Sequence, residues 1–281
     1  MHESVSAIAI IQARMSSSRL PGKVLKYLAG RPMIWHIVER ARACQRVEKV
    51  IVATSNEASD DPLADFCQAS DIPCFRGSLH NVLGRYLAVL DRYPAPYYVR
   101  ITGDCPLIDP DFIDKQLVAL ERHGADHVWL DPPVSVLVGQ GAHSTRSLQW
   151  IAQQTDDPDD FEHVGAPYVA QHPDAFRIVG MSPPQKLVEA KWRVTVDEQA
   201  DYEMMQQLYA ALWKGVPITL DEALEWMARN PLVAGHNLSV QDSAINQRLS
   251  AERRARAPGM DLLYSWENPS IAANIGSLLK P

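Results

Sequence analysis

The sequence has little of what several common protein classes need. Its 281 residues include only four cysteines and no Cys-x-x-Cys pair, which argues against a zinc site or a redox pair. No apolar run is long enough to cross a membrane, and the N-terminus has no signal-peptide pattern. A net charge of −7 disfavours a nucleic-acid binder. These shortages predict a cytoplasmic protein with reduced thiols and no membrane or nucleic-acid partner.

Glycine is also scarce where phosphate-binding loops usually have it. The apolar run over residues 5–11 leads into a polar loop that matches neither GxxxxGK[ST] nor GxGxxG. The loop instead holds Arg14, Arg19 and Lys23 among three serines and a Pro-Gly pair. If residues 5–11 form a buried parallel strand, the loop lies at its carboxyl end, where α/β sheets bind ligands. Such a loop suits a polyphosphate, although a solvated basic loop has the same composition.

Strand and helix patterns alternate through the first half of the chain. Helices are predicted to begin near Pro32, Asp61, Asn81 and Asp109, between strands at residues 5–11, 50–54, 73–75 and 97–102. This alternation predicts a three-layer α/β fold with a mostly parallel sheet.

The second half is less regular. Residues 126–140, with segments at 128–130 and 134–138, predict a small β excursion; residues 162–170 predict a helix and residues 193–196 a strand. Hydrophobic periodicity fades after residue 237. We therefore predict one main domain over 1–237 and a C-terminal tail or dimer arm over 238–281.

Two aspartates follow predicted strands. Asp104 lies in Thr-Gly-Asp-Cys-Pro after residues 97–102, and Asp197 follows residues 193–196. Two carboxylates that face a cationic loop suit Mg²⁺, which takes one or two carboxylates together with substrate phosphates. The plainer explanations are a turn cap for Asp104 and a helix N-cap for Asp197.

Several segments together resemble the SpsF-like branch of the cytidylyltransferases, and more distantly the 3-deoxy-manno-octulosonate and acylneuraminate cytidylyltransferases. The matching segments, in the family's order, are residues 12–23, 53–55, 60–63, 82–86, 100–109, 194–197 and 201–203. The resemblance implies a Rossmann-like fold of the nucleotide-diphospho-sugar transferase type and a homodimer. It also implies transfer of CMP from CTP to a sugar or sugar-acid acceptor, with release of pyrophosphate, in surface polysaccharide or glycan biosynthesis.

The resemblance further implies roles for individual residues. Arg14, Lys23 and Asp104 would be catalytic, and Asp104 and Asp197 would hold Mg²⁺. The nucleotide would be bound by Gln12, Ala13, Arg14, Arg19, Lys23, Thr54, Arg76 and Asp104. Three further candidates have plainer explanations as solvated or structural side chains: Arg85, Arg100 and His163.

One segment departs from the family pattern. Members usually carry Gly-Leu-Asp-Val-Glu after the middle strands, and residues 139–144 here read Gly-Gln-Gly-Ala-His-Ser. The lost carboxylates could favour a phosphate- or phosphonate-bearing acceptor near His143, Ser144 and Arg146. A glycosyltransferase that uses a nucleotide sugar is another alternative, disfavoured because Thr-Gly-Asp-Cys-Pro is no DxD motif. A non-catalytic nucleotide-binding protein is the third, disfavoured by the intact cations and aspartates.

Overall fold

The computed structural model describes residues 7–242, 244, 247–249, 251–252 and 264–265, and it shows one large sheet between two layers of helices. The strands are β1 Ala7–Gln12, β2 Tyr27–Leu28, β3 Arg31–Pro32, β4 Val47–Ser55, β5 Cys74–Gly77, β6 Tyr97–Thr102, β7 His127–Leu130, β8 Gln140–Ser144, β9 Ile178–Ser182 and β10 Tyr264–Ser265. The helices are α1 Met33–Arg42, α2 Asp61–Ala69, α3 Val82–Arg92, α4 Pro110–His123, α5 Thr145–Ile151, α6 Pro158–Glu162, α7 Ala166–Gln171, α8 Gln185–Glu189, α9 Gln199–Leu212, α10 Leu220–Arg229 and α11 Pro231–Ala234.

The large sheet is mixed but mostly parallel. Its strand order is β10-β9-β7-β8-β6-β1-β4-β5, and β2 pairs with β3 in a separate antiparallel hairpin. Within the large sheet β8 runs antiparallel to both of its neighbours, while the other pairs are parallel. The predicted three-layer α/β fold is therefore confirmed.

The strand register aligns the carboxyl ends of β1, β4, β5 and β6 along one border of the sheet. Gln12 of β1 pairs with Ala53 of β4 and with Thr102 of β6, and Ser55 of β4 pairs with Gly77 of β5. We call this border, marked by Gln12, Ser55, Gly77 and Thr102, the carboxyl edge. The loops that leave the carboxyl edge lie next to one another, as is usual at ligand sites of α/β sheets.

The sheet divides the core into two apolar clusters. Ile8 and Ile10 pack on one face with Tyr86 and Tyr98, whereas Ile11 packs on the other face with residues of α1, α4 and α9. A central parallel strand covered on both faces must be apolar at nearly every position, which explains the continuous run of β1.

Three local predictions are wrong. The helix predicted over 162–170 breaks into α6 and α7, because Val164 and Gly165 have φ angles of 56° and 72° and cannot continue a right-handed helix. Residues 193–196 form no strand; the N–H of Val196 donates to Asp104 O instead of joining a ladder. Ser135–Leu137 is a 3₁₀ turn, so the excursion has strands only at β7 and β8.

The predicted tail or dimer arm over 238–281 lies largely outside the described residues. Among the helices that the structure does describe, none has the length and apolar character needed to span a bilayer.

Candidate active site

A buried ammonium group lies at the centre of the site. Gly22, with φ at 69°, adopts a left-handed conformation that turns Lys23 inward from the loop after β1. Lys23 Nζ lies 3.0 Å from Asp104 Oδ2, 3.0 Å from Asp197 Oδ1 and 2.8 Å from Val196 O. An ammonium has three donors, so this set accounts for all of them.

Close backbone approach brings Asp104 to this position. Gly103 N donates to Gln12 O at 2.8 Å, and a Cβ atom on Gly103 would lie 2.9 Å from the Cβ of Ala13. Only glycine therefore lets the turn after β6 sit against the end of β1. Asp104 O in turn accepts from Val196 N at 2.8 Å, which holds the segment carrying Asp197 beside it.

Two arginines and a buried carboxylate fix Asp197. Arg19 Nη2 lies 2.9 Å from Asp197 Oδ1, and Arg193 Nη2 lies 2.6 Å from Asp197 Oδ2. Arg193 Nε also binds Asp201 Oδ1 at 2.9 Å, while Asp201 Oδ2 accepts from the N–H groups of Asp197 and Glu198. The positioning roles of Arg193 and Asp201 were not predicted. The feature of the sequence that could have indicated them is the four-residue spacing of Arg193, Asp197 and Asp201.

Burial and charge oppose each other at the Lys23–Asp104 pair. Burial acts to raise the pKa of Asp104, but Lys23 and hydrogen bonds from Thr102 and Cys105 keep that pKa below its ordinary value. Burial likewise acts to lower the pKa of Lys23, and the charges of Asp104 and Asp197 raise it above its ordinary value. Both groups are therefore charged at neutral pH, and each stabilises the other.

Arg14 and Gln12 lie nearby but outside this network. Arg14 is half exposed and pairs with Glu162 at 3.2 Å. Gln12 Oε1 accepts from Arg100 Nε at 3.0 Å and from Tyr86 Oη at 3.3 Å. Neither predicted residue contacts Lys23 within the described hydrogen bonds.

The other predicted nucleotide contacts line the ends of β1, β4 and β5. Ala13 is buried, and its N–H donates to Ala53 O at 3.2 Å. Thr54 is fully buried, and its hydroxyl has no hydrogen-bond partner among the described residues. Arg76 binds the carbonyls of Ser55 and Glu57 and pairs with Asp61 at 2.7 Å, so it stabilises the loop after β4.

Asp60 links the end of β4 to the loop after β1 that carries Arg14, Arg19 and Lys23, which we call the cationic loop. Its fully buried carboxylate accepts from Met15 N at 2.6 Å, from Ser55 N at 3.1 Å and from the Ser55 hydroxyl. From sequence alone, Asp60 was known only as part of a segment that resembles the family, and its buried position depends on contacts with Met15 and Ser55.

Similarity to known proteins agrees with this geometry. The pattern of the family described as Cytidylyltransferase matches residues 8–234, a span that includes Lys23, Asp104 and Asp197. The chain belongs to the cytidylyltransferase family. It is a nucleotidyltransferase that uses CTP, as the motif resemblance predicted.

Individual relatives support this membership. The chain is 30% identical over 227 residues to the spore coat polysaccharide biosynthesis protein SpsF of Bacillus subtilis, covering 79% of this chain and 94% of that protein. It is 40% identical over 115 residues to a 3-deoxy-manno-octulosonate cytidylyltransferase of Nitratidesulfovibrio vulgaris, covering 39% and 44% of the two chains. The solved structure of a cytidylyltransferase from Leptospira borgpetersenii matches with a TM-score of 0.75 at 25% identity, covering 85% and 99% of the two chains.

The cytidylyltransferase also has the donor chemistry for a magnesium ion. Asp104 and Asp197 bind one shared cation, the Lys23 ammonium, so their oxygens already converge on a single positive charge. No cluster of three or more metal-binding side chains occurs in the described part of the chain. Two carboxylates completed by substrate phosphates and water fit Mg²⁺ well, since it seldom takes an all-protein cage.

Near β6 and β8, the side chains of the cytidylyltransferase are not arranged as predicted for binding an anionic acceptor. Ser144 and Arg146 both bind Asp126, and Ser144 pairs with Tyr97 at the end of the sheet opposite the carboxyl edge. His143 Nδ1 lies 2.9 Å from His127 Nδ1. The expectation that Ser144 and Arg146 would face the acceptor is therefore wrong, and His143 is engaged with a neighbouring histidine.

Proposed function

We propose that this cytidylyltransferase transfers CMP from CTP to a sugar or sugar-acid acceptor and releases pyrophosphate. The observation that carries the proposal is the junction of Lys23, Asp104, Asp197 and Arg19 at the carboxyl edge. It combines carboxylates that can hold a divalent cation with cations that can bind phosphate oxygens. A complex of a divalent metal ion with a triphosphate would bind both the carboxylates and the cations of this site.

The reaction follows from this charge arrangement. The acceptor oxygen attacks the α-phosphorus in line, the bond from that phosphorus to the bridging oxygen of the β-phosphate breaks, and pyrophosphate leaves. Asp104 and Asp197 would hold Mg²⁺, which supplies charge neutralisation at the phosphates when bound. Arg14, Arg19 and Lys23 would bind the phosphate oxygens and stabilise the leaving pyrophosphate.

The nucleoside would lie along the strand ends. Gln12 and Ala13 lie at or next to the end of β1, Thr54 lies in β4 and Arg76 in β5, and these residues would contact the base and ribose. The Thr54 hydroxyl supports this placement, because it is buried without a partner in the described structure and has a hydrogen bond available.

The acceptor class is supported from two directions. The similar proteins are named for spore coat polysaccharide biosynthesis and for 3-deoxy-manno-octulosonate, which is a sugar acid. Arg100 pairs in register with Gly141 on the β8 side, and no carboxylate of the described residues forms an ion pair with it. Its charge is available for the carboxylate of a sugar acid in surface polysaccharide synthesis, or for the phosphate of the alternative acceptor class.

Pyrophosphate release tests the proposal. We expect release only when CTP, Mg²⁺ and an acceptor are present, in a panel of sugars, sugar acids and phosphate- or phosphonate-bearing compounds. Lys23→Met and Asp104→Asn should each lower kcat by about 10²–10³-fold, because each removes a group that stabilises transition-state charge.

Matched controls separate this effect from general damage. Lys49→Met and Asp111→Asn change an exposed lysine and an exposed aspartate that have no described contact with Lys23, Asp104 or Asp197, and they should keep wild-type rates. Near-normal turnover by Lys23→Met and Asp104→Asn would exclude the proposed site.

A homodimer that works in the cytoplasm, with residues 238–281 as its tail or arm, completes the proposal. Its support is the family resemblance. Light scattering on the purified full chain tests the dimer, and a monomer mass would remove it.

A further inference from the structure

One buried arginine has two guanidinium nitrogens without a hydrogen-bond partner among the described residues. Arg85 on α3 is only 4% exposed, so the plainer explanation of a solvated helical side chain is wrong for it. Its Nε and Nη1 atoms are buried and donate no hydrogen bond within the described structure. Leaving buried donors of a charged group unsatisfied is costly, and a protein that keeps such a group commonly does so for a ligand.

The backbone around Arg85 is shaped to hold it in place. A Cβ atom on Gly77 would lie 2.6 Å from Arg85 Cγ and 3.3 Å from Arg85 Cδ, so only glycine at the end of β5 leaves room for this side chain. Arg85 also lines a cavity of about 260 Å³ together with Phe75, Gly77, Ser78, Asn81 and Gly84.

In the described structure, two donor groups of this cavity lack hydrogen-bond partners, whereas its side-chain acceptor oxygens have them. Asn81 Oδ1 accepts from Gly84 N at 2.6 Å, and Ser78 Oγ accepts from Asn81 N at 3.1 Å. The acceptor oxygens are thus engaged locally, whereas Nε and Nη1 of Arg85 have no hydrogen-bond partner among the described residues. The cavity therefore suits a ligand that offers acceptor atoms and a flat face for the Phe75 ring. Its volume lies below the range of about 300–1,000 Å³ for drug-sized ligands, so it suits a single small ring.

The cavity lies at the nucleoside end of the proposed CTP site. The strand order β6-β1-β4-β5 places Asp104 after β6, the cationic loop after β1 and the cavity beside the end of β5. With neighbouring strands about 4.8 Å apart, β6 and β5 are about 14 Å apart, which an extended nucleoside triphosphate can span. Burial lowers the pKa of Arg85, and Tyr86, Asp60 and Arg14 also act on it. Asp60 in turn accepts from Met15 N of the loop after β1 at 2.6 Å.

We propose that Arg85 is a base-reading residue that donates to the acceptor edge of cytosine in this cavity. The inference rests on the proposed use of CTP. Cytosine presents two adjacent acceptors, O2 and N3, to such a donor, whereas uracil presents an N3–H donor at the second position. A donor facing another donor cannot form a hydrogen bond, so Arg85 selects CTP over UTP.

The experiment compares ligands with and without a base. Calorimetric titration in the presence of Mg²⁺ measures the affinities of CTP, UTP and tripolyphosphate for wild type, Arg85→Met and Gly77→Ala. In Arg85→Met we expect the CTP affinity to fall about tenfold and the preference for CTP over UTP to disappear, while tripolyphosphate binds as in wild type. Gly77→Ala displaces the guanidinium and should give the same pattern, which keeps the test valid if Arg85→Met does not fold.

The outcomes separate the inference from the proposed function. Arg92→Met, an exposed arginine on the same helix, is the matched control and should leave all three affinities unchanged. Equal loss of CTP and tripolyphosphate in Arg85→Met would make Arg85 a phosphate ligand and overturn the inference, and so would an unchanged CTP/UTP ratio. If wild type binds tripolyphosphate but no nucleotide with preference, the inference fails alone; if it binds neither CTP nor tripolyphosphate, the proposed function fails as well.

Discussion

The two ends of the proposed nucleotide site handle buried charge in opposite ways. At the phosphate end, Lys23 has three partners, and Asp197 is shared by Lys23, Arg19 and Arg193. At the nucleoside end, Arg85 is more deeply buried than Lys23, and its Nε and Nη1 donate to no described residue. The charged group at the phosphate end therefore has all its donors satisfied within the protein, whereas the one at the nucleoside end has two donors without a partner among the described residues.

This difference teaches what each end requires from a ligand. A metal–triphosphate complex must replace ion pairs that already exist, so the phosphate end is stable without it. The nucleoside end gains its missing hydrogen bonds only when a ligand supplies acceptors. Removing one partner of a buried ion pair is costly because it leaves the other charge uncompensated, whereas a buried charge that is already unpaired lowers the stability of the folded protein.

The largest expected effect is on stability, with opposite signs at the two ends. Lys23→Met removes the cation paired with Asp104 and one of the three cations paired with Asp197, and should lower the free energy of unfolding by about 2–3 kcal/mol; partial exposure keeps this below the cost for fully buried pairs. Arg85→Met removes an unpaired charge and keeps the stem, and should raise it by about 1 kcal/mol. Urea unfolding of the ligand-free proteins measures both.

The controls for this pair are Lys49→Met and Arg92→Met, both exposed, which should change stability by no more than about 0.5 kcal/mol. A loss of stability in Arg85→Met similar to that in Lys23→Met would contradict the proposed difference between the two ends. It would show that the guanidinium of Arg85 stabilises the ligand-free protein.

A smaller effect concerns metal binding without nucleotide. In the ligand-free protein the Lys23 ammonium occupies the space between Asp104 and Asp197, so a free divalent ion must displace it. Lys23→Met should bind Mn²⁺ about tenfold more tightly than wild type in the absence of nucleotide, which corresponds to about 1.4 kcal/mol. Electron paramagnetic resonance of free Mn²⁺ measures this affinity.

The double variant Lys23→Met/Asp104→Asn should lose the added Mn²⁺ affinity, because it removes one of the two carboxylates. Equal Mn²⁺ affinity in wild type and Lys23→Met would show that the ammonium does not compete with the ion.

The smallest effect is a pH dependence confined to the phosphate end. The folded-state pKa of Asp104 lies below its ordinary value, so its ion pair contributes stability above about pH 4, which is lost as the pH falls through the folded-state pKa. Between about pH 6 and about pH 3, wild type should lose more stability than Asp104→Asn, by at most about 1.4 kcal/mol per pH unit. Parallel curves for Asp104→Asn and wild type would argue against a charged pair.

Local patterns predicted much of the fold because β1, β4 and β6 are apolar runs, each followed by a turn and an amphipathic helix. The same patterns failed at residues 193–196, where apolar alternation predicted a strand. There Val196 instead bridges Asp104 O and Lys23 Nζ, and these contacts come from segments far apart in the chain. The break between α6 and α7 was not predicted, because nothing in the side chain of Val164 indicates that its backbone adopts a left-handed conformation.

Lys23 and Asp104 were predicted to lie close together because loops at strand ends in a parallel sheet meet at one border. Asp197 lies beside them although residues 193–196 form no strand. Their use of one another as partners could not be predicted, since it depends on distances between side chains 81 and 174 positions apart. Arg85 shows the same limit more clearly. A helical arginine is solvated in most sequences, and nothing in Leu-Gly-Arg-Tyr shows that packing against Gly77 buries it.

The sequence by itself determined the main alternation of strands and helices in the first half of the chain, the family and the chemical types at the strand ends, because each depends on local pattern or motif. Only the tertiary structure decided which charges are paired and which are left for a ligand. Pairing depends on burial and on contacts across the sheet, and both arise only when distant segments pack together.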